Sequence, residues 1–337
     1  MDIKLSVRQI HGGSSSTPKS VGGVPQGSVL GLVLFLIFVN YVLSEIKSKF
    51  KIFADDLKLY MNIKRSSVSE IIQDIQSIQS DINTLVYTAE SWGLKLNKDK
   101  SVVLRFQRHS TDWQNLGFYS DYFIHNEKIQ FVTSHPDLGI LVDTTLKFQD
   151  HVRSIANKAN GVASSLLKAT LNRSRKFMVT VYKTHIRPLL EFSSCIFYNE
   201  YIGDLKLLES PQRHWTKNIR GLENYEYQSR LHTLDLYSVK GCLIRADMIK
   251  IWKIFHGHSA ISPTELFEPS RIHSTRGHNY KLFVPHCNTE VRRRFFSVRT
   301  VTLWNSLPDR AVNAPTIATF KSALHDHLGN LLYEFGN

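Results

Sequence analysis

Two adjacent aspartates, Asp55 and Asp56, lie between short apolar runs in KFKIFADDLKLYMNI, residues 49–63. Like charges side by side at a tight turn repel, and a cation between them relieves that cost. Oxygen donors of this kind suit Mg2+ or Mn2+. Taken in isolation, such a pair also reads as a solvated turn. Upstream, GVPQGSVLG (residues 23–31) sets Pro25, Gln26 and Gly27 ahead of a long apolar run. Gly27 leaves the backbone accessible at a helix start, where N–H groups and the helix dipole attract phosphate or polar base edges. In isolation the better reading is a turn before a core helix. Downstream, LKLNKDKSVVLRF (residues 94–106) sets Lys98 and Lys100 in a polar turn, where they read as solvated lysines.

The elements that must position these groups follow from the apolar spacing. Residues 3–10 alternate like a strand, and Ser28 to Lys47 reads as a helix buried on most faces. Residues 49–63 form a hairpin around the aspartates. Val68, Ile71, Ile72, Ile75, Ile78, Ile82, Leu85 and Val86 recur at helical steps, so Ser66 to Trp92 reads as an amphipathic helix packed on a sheet. Gly93 ends it, and strand, polar turn and strand follow. Strand-like pieces continue to residue 143. From Thr144 the pattern is helical, over roughly 146–170, 174–200, 203–220 and 225–257. The fold class is α+β, divided at 1–145, 146–260 and 261–337. The last segment carries RIHSTRGHNYKLFVPHCNTEVRRRFFSVR, with seven Lys or Arg and one acid. His273, His278 and His286 are scattered in and near it and read as surface residues.

Lys plus Arg total 42 against 29 acids, a net charge of +13 over 337 residues. That excess favours a polyanionic partner, since each neutralised phosphate releases counterions. Cys195, Cys242 and Cys287 share no ligand spacing, which argues against a disulfide framework or zinc site and for a reducing, intracellular setting. The apolar run Val29–Val42 is too short, and is broken by Asn40, for a membrane span. On the helices, Arg153, Lys158, Lys168, Arg173, Arg175, Lys176, Lys183 and Arg187 read either as solvated faces or as a nucleic-acid groove. Arg292, Arg293 and Arg294 with Phe295 and Phe296 mix charge with stacking surface, which suits RNA or single strands; a helix with a basic face and two core phenylalanines is the alternative.

The order GVPQGS, then FADD one helix later, then a lysine-bearing hairpin after a second helix resembles reverse transcriptases. Gly23–Ser28 are similar to their motif B, Phe53–Asp56 to motif C and Trp92–Phe106 to motif D. LGILVDTTLKF (138–148) resembles the end of the palm in the non-LTR retrotransposon class. YKTHIRPLLEF, LLESPQRHWTKNIRGL and YEYQSRLHTLDLYSV resemble the thumbs of jockey-like and related elements, and WNSLPDRAVNAPTIATFKSAL resembles the tails of their reading frames. The resemblance implies a partial palm of antiparallel strands with packed helices, then a thumb-like helical domain and a basic C-terminal segment. It implies RNA-directed DNA polymerisation with an RNA template, a DNA primer and Mg2+ or Mn2+, in nucleus and cytoplasm. Asp55 would bind metal with Asp56 alongside, and Pro25, Gln26, Gly27, Phe53 and Ala54 would contact the template–nucleotide pair. Lys100 aligns best with the motif D lysine that donates a proton to pyrophosphate, with Lys98 its rival.

The sequence departs from the family pattern in two ways. Leu32 stands where family members usually have Pro, and nothing resembles the motif A strand that supplies a further metal-binding aspartate, nor the fingers. The expectation is an N-terminally truncated polymerase that does not act alone. The alternative is a non-catalytic nucleic-acid-binding protein derived from a mobile element, or a relic with no selected role.

Overall fold

The computed structural model describes residues 2–8, 29–54, 56–63, 67–106, 121–271 and 277–335. The chain divides into two compact units, Met1–Asp137 with Val142–Leu146, and Leu138–Leu141 with Lys147–Asn337. The first is mixed α and β and the second is helical, so the chain is α+β.

In the first unit, β1 (Asp2–Arg8) precedes α1 (Val29–Val42), the hairpin β2 (Lys49–Phe53) and β3 (Asp56–Tyr60), and α2 (Val68–Ser91). Short strands β4 (Lys95–Leu96), β5 (Val102–Leu104), β6 (Phe123–Ile124), β7 (Glu127–Lys128) and β8 (Gln130–Phe131) follow. The sheet order is β2-β3-β1-β5-β8, with β4 also on β1, and every neighbour is antiparallel except β5 with β8. The first strand in the chain thus lies between the hairpin and β5, the split βαβ arrangement of ferredoxin-like sheets. Strands β9 (Ser134–Asp137) and β10 (Ile140–Asp143) lie where the chain passes from one unit to the other.

Helix α2 is fixed by sequence at both ends. The Ser67 hydroxyl accepts from the Glu70 amide at 3.2 Å, and Gly93 takes a left-handed φ of 75° just past the end. Its Ile75, Ile78, Ile82 and Leu85 bury against Leu57, Leu59, Leu96 and Val103. Asp81 is buried on the same face and accepts from the amides of Lys47 (3.2 Å) and Ser48 (2.7 Å). That carboxylate fixes the entry of β2, and so the place of the hairpin. Gln79 pairs with the backbone of Phe123, donating to its oxygen at 2.9 Å and accepting from its nitrogen at 2.8 Å.

Helix α1 differs from expectation. Rather than being buried on most faces, it leaves Leu30, Val33, Leu34, Leu36, Ile37 and Tyr41 exposed. Among its described side chains, those of the last turn enter the core, where Val42 and the following Leu43 pack with the α2 cluster.

The second unit is built from α3 (Gln149–Ala169), α4 (Arg175–Val181), a π-helical turn at Tyr182–Ile186, α5 (Arg187–Glu191), α6 (Ser194–Phe197), α7 (Ile202–Lys217), α8 (Tyr227–Leu234) and α9 (Val239–Phe255). Later come α10 (Pro263–Leu266), α11 (Glu290–Arg293), α12 (Phe296–Ser306), α13 (Asp309–Val312) and α14 (Ile317–Leu328), closed by a 3-10 turn at Gly329–Leu332. Left-handed residues divide runs that read as single helices. Ser193 (φ 54°) separates α5 from α6, and Asp235 (φ 48°) separates α8 from α9. Short polar side chains tolerate that conformation where β-branched ones do not.

The core of this unit joins α9 to the segment beyond residue 261. Trp304 stacks on Phe255 with centroids 5.7 Å apart, and Trp252 stacks on Phe320 at 5.6 Å. Asp247 and Arg299 form a buried ion pair at 2.9 Å, and Arg299 also donates to the Cys195 carbonyl at 3.3 Å. His278 corrects a sequence expectation. It is not a surface residue but is 3% exposed, with Nε2 3.1 Å from the Trp304 carbonyl. Burial lowers its pKa from the ordinary value.

Candidate active site

The hairpin carries the site. Phe53 and Asp56 face each other across the ladder, with Ala54 and Asp55 between them. Ala54 has φ 52°, the left-handed conformation that tight two-residue hairpins demand. Phe53 is 64% exposed, and Asp56 is partly exposed at the start of β3. Asp55 lies outside the described residues, as do Pro25, Gln26 and Gly27.

Strand β1 organises what stands beside Asp56. Its Ser6 is the partner of Asp56 on one side, and Val7 is the partner of Leu96 on the other. Lys4 pairs with Val102, so the turn of residues 97–101 runs level with Leu5 and Ser6. Asp56 and that turn therefore occupy one level of the sheet, two strand spacings or about 10 Å apart. Asp2, the one acid of β1, pairs with Tyr60 at the other end.

Residues 98–100 form a single 3-10 turn capped by Asn97, whose side-chain oxygen accepts from the Lys100 amide at 3.3 Å. The two candidate lysines differ. Lys98 pairs with Glu127 at 2.9 Å, and that hydrogen bond holds its ammonium above the ordinary pKa. Lys100 is exposed and makes no ion pair among the described residues. Lys58, which follows Asp56 on β3, pairs with Asp137.

A divalent ion needs several oxygen ligands at once. Among the described residues no three His, Cys, Asp or Glu side chains gather in a metal-holding group, and Asp56 is the one placed carboxylate of the motif. The described residues alone do not fit such an ion.

In the second unit the three consecutive arginines have different surroundings. Arg292 is exposed, its guanidinium 5.4 Å from the Phe295 ring centroid, and Phe295 is itself exposed. Arg293 is exposed but pairs with Glu290. Arg294 is half-buried over Tyr201 at 4.4 Å and donates to the Asn199 carbonyl at 3.0 Å. Phe296 is buried. Of the basic residues in the helical region, Arg153 pairs with Asp150, Arg187 with Glu191, and Arg173, between α3 and α4, donates to the carbonyls of Thr170 and Leu167 at 2.6 Å each. Lys158, Lys168, Arg175, Lys176 and Lys183 are exposed, with no ion pair among the described residues.

Among the charged groups that sequence reading missed is Glu209. Glu209 is fully buried on α7, where it accepts from the Tyr227 hydroxyl, the Val239 amide at 3.1 Å and the Lys240 amide at 3.4 Å. It thereby caps α9, and burial pushes its pKa up despite those donors. Its partners are 18, 30 and 31 positions away, separations that no local motif reports.

None of the described helices is long and apolar enough to cross a membrane. Residues 3–136 match the family model of reverse transcriptase (RNA-dependent DNA polymerase). Over 200 residues the chain is 24% identical to the RNA-directed DNA polymerase from mobile element jockey of Drosophila melanogaster, covering 56% of this chain and 20% of the relative. It is 24% identical over 240 residues to the RNA-directed DNA polymerase assigned to transposon X-element of the same species, covering 68% and 25%. The jockey polymerase of Drosophila funebris is 24% identical over 190 residues, covering 52% and 19%. The chain thus spans about a fifth to a quarter of the length of these curated relatives. The family match covers the sheet and hairpin that hold Asp56, and the chain is similar over part of its length to the polymerases of non-LTR retrotransposons.

Proposed function

We propose that this chain is part of an RNA-directed DNA polymerase and binds an RNA template with its DNA primer. The observation that carries the reading is the Phe53–Asp56 hairpin, with its left-handed turn at Ala54, at the edge of a sheet whose residues match the family. In this reading the first unit is the palm. Asp55 and Asp56 form its metal-facing end, and Pro25, Gln26 and Gly27 with Phe53 and Ala54 meet the template–nucleotide pair. Lys100, level with Asp56 and without an ion pair among the described residues, is the better proton donor, because Lys98 is engaged by Glu127. The second unit is the thumb. Its exposed Lys158, Lys168, Arg175, Lys176 and Lys183, with Arg292 and Arg293, contact the phosphate backbone without reading sequence.

Fluorescence anisotropy with a labelled DNA-primed RNA tests this. Binding should tolerate changes of sequence and weaken steeply with salt, because phosphate contacts dominate. No binding at low ionic strength, or affinity independent of salt, would overturn the reading.

A further inference from the structure

Arg213 on α7 and Arg230 on α8 share one aromatic ring. Their guanidinium carbons lie 4.4 and 5.4 Å from the Tyr227 centroid, and Arg213 also lies 4.9 Å from that of Phe335. Arg230 is only 6% exposed, and its Nε and Nη1 are enclosed without a hydrogen-bond partner among the described residues. Neither arginine forms an ion pair among those residues. Glu209 is one helical turn from Arg213, yet its oxygens are taken by Tyr227, Val239 and Lys240. Two like charges on one ring, one of them buried without a counter-charge, are costly in the free protein. Arg213 is exposed, and an anion held at its guanidinium offsets that cost.

We infer that Arg213 and Arg230 form a two-armed oxyanion site that takes a phosphodiester group of a bound nucleic acid. Tyr227 and Phe335 hold the arms through cation–π contacts, which keep guanidinium planes fixed without consuming their N–H donors. Those donors match the oxygens of a phosphate geometrically, as an ammonium does not. Burial, with Arg213 adding to it, lowers the pKa of Arg230, in keeping with a charge that lacks its partner. The choice of a phosphodiester rests on the polymerase reading above and on the net charge of +13.

The test uses the full chain and Arg230→Met, which removes the charge and keeps most of the volume. In phosphate-free buffer the variant should melt no lower than wild type, because an uncompensated charge has gone. Inorganic phosphate should raise the melting temperature of wild type and not of the variant. Affinity for a DNA-primed RNA should fall about tenfold in the variant, the cost of one charge-assisted contact. The slope of log affinity against log salt should fall by about one. Should Arg230→Met not fold, the exposed Arg213→Met carries the same expectations. A variant that melts lower yet keeps the full phosphate response would mark Arg230 as structural and overturn the site. Loss of the phosphate response with unchanged RNA affinity and salt slope would make it a site for free anions, which also overturns the proposal. Failure of wild type to bind the primed RNA would instead sink the polymerase reading, and the phosphodiester assignment with it.

Discussion

Gly241 faces Leu332 so closely that a Cβ on Gly241 would stand 2.0 Å from the Leu332 carbonyl oxygen. Ser238 explains the approach. Its amide donates to that oxygen at 2.9 Å, and its hydroxyl, 3.2 Å from the same oxygen, accepts from the Gly241 amide at 2.9 Å. The first turn of α9 is therefore seated on the chain's last turn, with no room for a side chain. In an ordinary helix Gly→Ala gains roughly 0.5–1 kcal/mol. Here Gly241→Ala should instead cost about 3 kcal/mol, since the obstacle is backbone and cannot rotate away. Urea unfolding of the second unit measures this, and a stabilised variant would show that the contact does not exist.

Ala54→Gly should act in the opposite direction. A left-handed alanine costs about 1 kcal/mol that glycine does not incur, so the hairpin should gain that amount. Hydrogen exchange at the Leu57 and Leu59 amides reads the effect locally. Faster exchange in the variant would mean that the turn is not left-handed.

Primer extension by the chain as given should not rise above background with Mg2+ and deoxynucleotides. Two-metal transfer needs carboxylates on both ions, while the partner of Asp56 on β1 is Ser6. Extension that disappears in Asp55→Ala would refute this expectation.

The arginine triplet should divide under mutation. Neutralising Arg292 and Arg293 should lower the salt slope of RNA binding by up to about two, with little effect on stability. Arg294→Ala should destabilise the unit by about 1–2 kcal/mol, because it removes a stacked, hydrogen-bonded guanidinium. Equal effects on binding from all three positions would contradict the surroundings described for them.

Asp247 carries a pH dependence. Burial outweighs Arg299 and pushes its pKa up to about 6, from an ordinary value near 3.8. A carboxyl with a raised folded pKa binds its proton more tightly in the folded state. Its contribution to stability is therefore complete below the unfolded pKa and is lost as pH rises through about 6. The stability difference between wild type and Asp247→Asn should widen as pH falls from 7 toward 4, roughly the window between the two values. A difference that narrows on acidification would show that the ion pair, rather than burial, governs the group.

What the sequence disclosed was local. The hairpin over residues 49–63, the α2 periodicity and the break at Gly93 are written in neighbouring residues. Motif order carried the family, because it records spacing along the chain. What stayed hidden depends on distant partners. Asp81 gives no sign in the sequence that it anchors Lys47 and Ser48, nor Arg299 that it is buried against Asp247. The triplet at 292–294 reads as one basic surface, yet its members differ because residues near position 200 reach one of them and not the others. The apolar run at 29–42 reads as buried from composition, which counts apolar residues without saying what is available to cover them.

The sheet order has a consequence for synthesis on the ribosome. Strand β1 is made first but lies in the interior of the sheet, with Asp2 opposite Tyr60 on one side and Leu104 on the other. The β2–β3 hairpin closes on local pairing as it emerges, whereas β1 must wait for it and then for β5. Until then a strand with two unpaired edges is open to other chains, the state in which nascent sheets aggregate. By the time the helices from Gln149 onward are made, every strand that β1 pairs with has already emerged. Slowing elongation before residue 104 should therefore lower the yield of native first unit more than a pause placed within the helices.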